Sequence, residues 1–221
     1  MKFRHEYKHQ INLADVYGLK TRLNAVAKHD SHAGEDGTYF IKSLYFDNYM
    51  DKALREKIDG VNKREKFRIR YYGTDTSFIR LEKKSKINGL CNKISCKITA
   101  EECQKIIDGD TQFMKDSEYE LMRELYSKMK YQLLRPKCIV AYTRECFVYP
   151  PGNVRVTIDT NICGSSNTKE FLNPDLPFLQ TYHEAILEVK WDEFLPQIIR
   201  DCVQVKSRRS AAFSKYAAIR I

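Results

Sequence analysis

The feature that most constrains this chain is a charged face repeated on one strand-like segment after another. In Phe67-Arg68-Ile69-Arg70-Tyr71-Tyr72, residues Phe67, Ile69 and Tyr71 share one face of a strand and Arg68 and Arg70 the other, because side chains alternate along an extended backbone. The same alternation recurs at Arg4-His5-Glu6-Tyr7-Lys8, at Arg80-Leu81-Glu82-Lys83-Lys84 and at Ile186-Leu187-Glu188-Val189-Lys190. One such face is an ordinary solvated surface. A row of them, with carboxylates among the cations, points to a polyanion and its metal ion.

The rest of the composition narrows the partners. A 221-residue chain that is 43% hydrophobic can build a proper core, and its net charge of +9 favours an anionic partner. No stretch approaches the ~18 apolar residues of a membrane span, and Met1-Lys2-Phe3-Arg4-His5 is charged where a signal peptide turns apolar. The chain is therefore predicted to be cytoplasmic. Its seven cysteines are irregularly spaced and form no CxxC, which reads as reduced thiols packed as small hydrophobes.

One domain over 1–221 is predicted, with helices between strands. Strands are expected at 3–11, 39–46, 66–72, 78–86, 90–98, 137–148, 153–159 and 185–190. Asn12 or Asp15 opens a helix to about Lys28; 47–60 carries helical spacing; Thr99-Ala100-Glu101-Glu102 has the form of a capping box. Longer helical patterns cover 117–134, 194–205 and 210–219. Gly73-Thr74-Asp75-Thr76 and Asn88-Gly89 read as turns, and Asn161–Asn167 as a polar, mobile segment. The class is α+β, and about eight antiparallel strands suffice to close a barrel. Helices need the apolar strand faces, so the charged faces are expected to line the lumen. Unpaired buried cations are costly, so the lumen must be wet, paired with carboxylates or filled by an anion.

The anion-contact candidates are Arg4, Lys8, Arg68, Arg70, Arg80, Lys84, Lys93, Arg144, Arg155 and Lys190. Arginine offers phosphate a planar two-pronged donor and lysine a mobile point charge. Glu6, Glu82, Glu188 and Asp159 are the candidate metal ligands, since Mg²⁺ and Mn²⁺ prefer carboxylate and phosphate oxygens. His5 and His9 alternate with Glu6 and Lys8 and so belong to the opposite face, under a helix; His29 and His32 fall in a polar loop. The Tyr71-Tyr72 pair could stack on bases, yet tyrosine is a common strand residue. The run Lys206-Ser207-Arg208-Arg209 reads as a solvated helix start.

An ordered set of motifs carries a resemblance. Ser43-Leu44-Tyr45-Phe46-Asp47, Phe67-Arg68-Ile69-Arg70-Tyr71-Tyr72-Gly73, Leu81-Glu82-Lys83-Lys84, Tyr142-Thr143-Arg144, Val154-Arg155-Val156-Thr157-Ile158-Asp159-Thr160, Leu187-Glu188-Val189-Lys190 and Phe213-Ser214-Lys215-Tyr216 follow one another along nearly the whole chain. Together they resemble the VTC-domain polyphosphate polymerases, the catalytic domain of the vacuolar transporter chaperone complex in its stand-alone bacterial form. That family belongs to the triphosphate tunnel metalloenzymes. The resemblance implies an antiparallel β-barrel tunnel in which the γ-phosphate of ATP is transferred to a growing polyphosphate chain. It implies that Lys8, Arg68, Arg70, Lys84, Arg144 and Arg155 hold the triphosphate or polymer, with Lys93 or Lys97 as a further tunnel lysine. Tyr142 and Ser214 supply hydroxyl contacts, Lys215 sits at the tunnel end, and Glu188 binds Mn²⁺ or Mg²⁺.

Two departures sharpen that expectation. Related tunnel enzymes begin with Glu-x-Glu-x-Lys, but here Arg4 stands in the first position, which suits a polymerase better than a two-metal triphosphatase. Eukaryotic polymerases of the family carry a basic residue where this chain has Ala212; Arg208 or Arg209 is the candidate substitute. No membrane helix is seen in the sequence, so export of a polymer would need a separate membrane partner. The substrates expected are ATP and polyphosphate or triphosphate, and nucleic acid is not expected. The rival readings are a metal-dependent tri- or polyphosphatase, a non-catalytic polyphosphate-binding module, and an RNA binder favoured only by charge and tyrosine content.

Overall fold

The structure, a computed structural model, describes residues 4–88, 90–205 and 213–220. The elements in chain order are β1 (His5–Ile11), α1 (Leu13–Asn24), β2 (Lys28–His29), β3 (Thr38–Asp47), α2 (Lys52–Ile58), β4 (Arg64–Tyr72), β5 (Asp75–Ile87), β6 (Leu90–Ile98), α3 (Ala100–Asp108), α4 (Glu120–Tyr131), β7 (Arg135–Tyr149), β8 (Val154–Ser165), β9 (Leu179–Tyr182), β10 (Ala185–Trp191), α5 (Gln197–Cys202) and α6 (Lys215–Arg220). The α+β class and the antiparallel sheet of about eight strands expected from the sequence are what the chain adopts, with the short β2 and β9 paired beside the eight.

The chain forms two compact units, Met1–Phe40 with Tyr142–Ile162 and Tyr182–Phe213, and Ile41–Ala141 with Cys163–Thr181 and Ser214–Ile221. In the first unit the strand order is β1-β10-β8-β7, with β2 added to β7. The apolar faces of β8 (Val154, Val156, Ile158) and β10 (Leu187, Val189) pack with Val16, Leu19 and Leu23 of α1 and Ile199 of α5. Helix α1 starts where Asn12 caps it: the Asp15 amide donates to Asn12 Oδ1 at 2.9 Å, and the Asn12 amide donates back to Asp15 Oδ2 at 3.1 Å. His5 and His9 fall on the helix-side face, as the alternation predicts. The His5 ring stacks on Trp191 at 5.4 Å between centroids, and His9 meets Tyr7 edge-on at 5.2 Å.

The second unit orders its strands β7-β3-β4-β5-β6. Phe67, Ile69 and Tyr71 of β4 and Ile79 and Leu81 of β5 pack with Ile106 of α3 and Leu121, Leu125 and Met129 of α4. The Thr99–Glu102 capping box opens α3, and Gly109, at φ 87°, closes it in the left-handed region that glycine reaches without strain. Asp47 is the polar hub. Its Oδ1 accepts the amides of Asn48 and Ala53, each at 2.9 Å, and its Oδ2 accepts the Leu54 amide at 3.2 Å and the Tyr216 hydroxyl at 2.6 Å. Tyr216 also stacks on Tyr45 at 5.2 Å. Burial first, and then the Asp47 carboxylate, push its phenol pKa up.

Two sequence expectations change. Asn161–Asn167 is not a loose segment: β8 continues to Ser165, with Asn161 at φ 51° and Ile162 fully buried. Asparagine tolerates that left-handed geometry inside a strand. The hairpin after Gly73 is also tighter than predicted, since β5 resumes at Asp75. The expected helix over 210–219 is seen as α6 from Lys215, and 206–212, with Arg208, Arg209 and Ala212, lie outside the described residues. The seven cysteines are free thiols, and burial pushes Cys103 and Cys138 up to about 12, far from a reactive thiolate.

Candidate functional site

Each unit turns a charged strand face away from its helices. In the first unit the register sets Glu6 opposite Lys190 and Lys8 opposite Glu188 on β1 and β10. Lys8 Nζ bridges Glu6 Oε1 at 2.8 Å and Glu188 Oε1 at 2.9 Å. Lys190 Nζ completes the square, 3.0 Å from Glu188 Oε2 and 3.5 Å from Glu6 Oε2. Burial alone would lower the Lys8 pKa, but Glu188 and Glu6 outweigh it and hold the ammonium charged. On β7 and β8, Arg144 grips Asp159 with Nε at 2.5 Å and Nη2 at 2.7 Å, lies over the Tyr142 ring at 5.3 Å, and comes within 3.9 Å of Glu188. Thr157 sits opposite Glu188, and its buried hydroxyl has no hydrogen-bond partner among the described residues.

Arg155 is held from the loop side. Its Nη2 reaches Asp30 Oδ2 and the Tyr39 hydroxyl, each at 2.8 Å. Burial favours the neutral Asp30 acid, but hydrogen bonds from His32 and the charge of Arg155 hold its pKa below the ordinary carboxylate value. Asp30 and Tyr39 carried no sequence signal, because neither lies in an alternating charged run. Arg4 stands apart from the carboxylate square: it pairs with Asp192 at 2.8 Å and donates to the Asn153 carbonyl.

The second unit gathers Arg68, Arg70 and Lys93 on one acid. Arg68 contacts Glu82 Oε2 with Nε at 2.7 Å and Nη2 at 2.6 Å, Lys93 Nζ lies 2.6 Å from Oε1, and Arg70 Nη2 lies 3.7 Å from Oε2. Burial would raise the Glu82 pKa; Arg68 and Lys93 outweigh it and keep the acid ionised below its usual range. Arg68 also donates to the Tyr45 hydroxyl at 3.1 Å. Lys84 stands in register between Lys66 and Lys93. Arg80 donates to Ser95 Oγ at 3.2 Å. Buried Ser214 offers Oγ to the Ala217 amide at 3.5 Å at the start of α6, whose first residue is Lys215.

The donor chemistry bears directly on a metal. Among the described residues no group of three or more His, Cys, Asp or Glu stands together as a ready-made cage. Mg²⁺ and Mn²⁺ do not need one, since they bind through one or two carboxylates and complete their shell with water and substrate phosphate. Glu6 and Glu188 fit that pattern: they share Lys8, so their carboxylates approach one point from adjacent strands. Glu188 is met by Lys8, Lys190 and, at 3.9 Å, Arg144, as Glu82 is by Arg68, Lys93 and, at 3.7 Å, Arg70, so a metal at either acid would take the place of a lysine, while Asp159 is taken by both prongs of Arg144.

A family model, VTC domain, matches residues 3–220. No curated protein matches the chain. Among solved structures, a candidate adenylyl cyclase from Hippeastrum, described as having a dominant triphosphatase activity, superposes with a TM-score of 0.60 at 13% identity, over 97% of this chain and 94% of that one. A candidate adenylate cyclase from Bacillus halodurans gives 0.54 at 13% identity, over 86% and 80%. A Pyrococcus horikoshii protein gives 0.54 at 11% identity, over 99% of both chains. At such identities the likeness is one of fold.

Proposed function

This chain belongs to the VTC domain family, and from that premise we propose that it is a polyphosphate polymerase, transferring the γ-phosphate of ATP to the end of an inorganic polyphosphate chain. The observation that carries the reading is the square of Glu6, Lys8, Glu188 and Lys190, in which two carboxylates meet among cations. Lys8, Arg144 and Arg155 in one unit, and Arg68, Arg70 and Lys84 in the other, are proposed to bind phosphate oxygens. Arg4, Arg80, Lys93, Lys190, Tyr142, Ser214 and Lys215 are proposed as further contacts.

A terminal phosphate oxygen of the acceptor attacks the γ-phosphorus in line. The bond from that phosphorus to the β,γ-bridging oxygen breaks, and ADP leaves with its electron pair. No strong base is required, because a terminal phosphate is already largely ionised. Glu188 and Glu6 would hold Mn²⁺ or Mg²⁺, whose chemistry is neutralisation of phosphate charge. The protein's own part is positioning: cations hold acceptor and donor in line, and fixed donors meet charge as it develops.

A second reading, hydrolysis of triphosphate, is favoured by the triphosphatase activity described for the Hippeastrum protein. The place of Arg4 argues against it. The residue that replaces the first glutamate of Glu-x-Glu-x-Lys pairs with Asp192 and adds no oxygen donor to Glu6 and Glu188. Incubation with ATP and Mn²⁺, followed by gel sizing, separates the two. A ladder of long phosphate chains is expected, and orthophosphate alone would overturn the polymerase reading.

A further inference from the structure

The charged face of the second unit includes, beside the Lys66, Lys84 and Lys93 row, two neighbouring cross-strand rows that differ in charge balance. Tyr45, Arg68, Glu82 and Ser95 are in register across β3, β4, β5 and β6. Two residues along, Ser43, Arg70, Arg80 and Lys97 are in register on the same four strands, and so point to the same face. The first row contains Glu82, which binds Arg68 and Lys93. The second row of four contains no acid.

Its polar atoms are correspondingly unmet. Ser43 is completely buried, and its Oγ has no hydrogen-bond partner among the described residues. The Nε atoms of Arg70 and Arg80 are buried and likewise have no acceptor there. The Arg70 side chain is 8% exposed, and its other contacts are a 3.3 Å hydrogen bond to the Tyr72 hydroxyl and the 3.7 Å approach to Glu82. Arg80 has Ser95 at 3.2 Å and lies over the Phe78 ring at 4.8 Å. Three adjacent strands thus each present one unsatisfied donor at one level of the face. Buried donors are almost always satisfied, and a cluster of exceptions calls for a missing partner. The partner these donors ask for is an acceptor with several oxygens and negative charge.

We propose that Ser43, Arg70 and Arg80 form a subsite for a single phosphate group within a phosphoanhydride chain, with the Ser43 hydroxyl donating to one of its oxygens. The subsite rests on the reading of this face as one that binds polyphosphate or triphosphate. Ser43 is the new member. It brings no charge, so it orients the group that the two guanidinium ions attract. The ligand class is inorganic triphosphate, longer polyphosphate and the phosphate tail of a nucleoside triphosphate.

A serine kept for packing and a serine kept for a ligand respond oppositely to Ser43→Ala. Loss of a buried hydroxyl that has no partner leaves the ligand-free protein as stable or more stable. Loss of a hydrogen bond to a charged oxygen weakens binding by roughly tenfold. The test is titration calorimetry of the full chain with inorganic triphosphate in metal-free buffer, beside thermal unfolding without ligand. The expected result is affinity down about tenfold with an unchanged or raised unfolding midpoint. Arg80→Gln, at a partly exposed position, is expected to weaken binding further, and decides the matter if Ser43→Ala fails to fold. Wild-type affinity in Ser43→Ala, or a lowered midpoint with binding intact, overturns the subsite while the phosphate-binding reading stands. A wild-type protein that takes up no triphosphate overturns both.

Discussion

The two units carry the same alternation on the same kind of apolar underside, yet their charged faces are differently balanced. In the first, Lys8, Lys190, Arg144 and Arg155 meet Glu6, Glu188, Asp159 and Asp30, cation against acid. In the second, Glu82 binds Arg68 and Lys93, with Arg70 near, while Arg80 meets a serine hydroxyl and a ring. Desolvated cations without counter-charge destabilise a fold. The charges of the first face therefore neutralise one another, although the Thr157 hydroxyl among them is unmet, and its acids are the oxygen donors proposed for a metal. The second, on the reading proposed above, is completed by an anion. We propose to read the contrast as a division of labour, in which one face takes a cation together with phosphate and the other phosphate alone.

The largest test of this division is Glu188→Ala. Metal-dependent turnover is expected to fall by about a hundredfold or more, while triphosphate affinity in metal-free buffer holds or rises, because Lys8 and Lys190 lose an acid that competes for them. Turnover that survives would mean that the acids of the first unit serve only to neutralise its lysines. Next come Arg70→Ala and Arg155→Ala, one from each face. Each is expected to lower turnover more than ~tenfold with an unchanged circular dichroism spectrum; a change confined to one of them would break the symmetry of the proposal.

Glu82→Gln is expected to act more gently on binding and in the opposite direction. It frees Arg68 and Lys93, so triphosphate should bind a few-fold tighter, at some loss of stability. The pH dependence follows from the same carboxylate. Its folded pKa is depressed, so its contribution to stability is fully present above the unfolded value of about 4.3 and disappears as pH falls through the folded one. Wild-type unfolding midpoints should drop on acidification across that window, and the drop should be smaller in Glu82→Gln. Equal acid sensitivity in both proteins would assign the effect to other acids.

Much of this architecture is legible in the sequence. Alternation tells which face of β4, β5 and β10 carries most of the charge, with Lys83 an exception that falls on the helix side and pairs with Glu124 of α4, and Asn12 and Thr99 announce two helix starts through caps that are local in sequence. What escapes is what has no period. Tyr39 meets Arg155 across 116 positions, and Asp30 meets it from a loop. Ser43 lies in an apolar run that reads as core, and its unmet hydroxyl is visible only once Arg70 and Arg80 are seen in register beside it. The continuation of β8 past Asn161 is hidden by polar residues that suggest a loop, whereas burial of Ile162 keeps the strand going. Local signals set the elements; long-range partners set the chemistry.

The hydrogen bond from Tyr216 to Asp47 joins positions 169 apart. A ribosome adding about 5–20 residues per second needs roughly ten to thirty seconds to bring the second of them into being after the first. During that interval Asn48, Ala53 and Leu54, whose amides donate to Asp47 in the folded protein, are already synthesised, and the phenol is not. Completion of this hub thus waits on the synthesis of Tyr216, and a polypeptide released before that point would lack the tyrosine that finishes it.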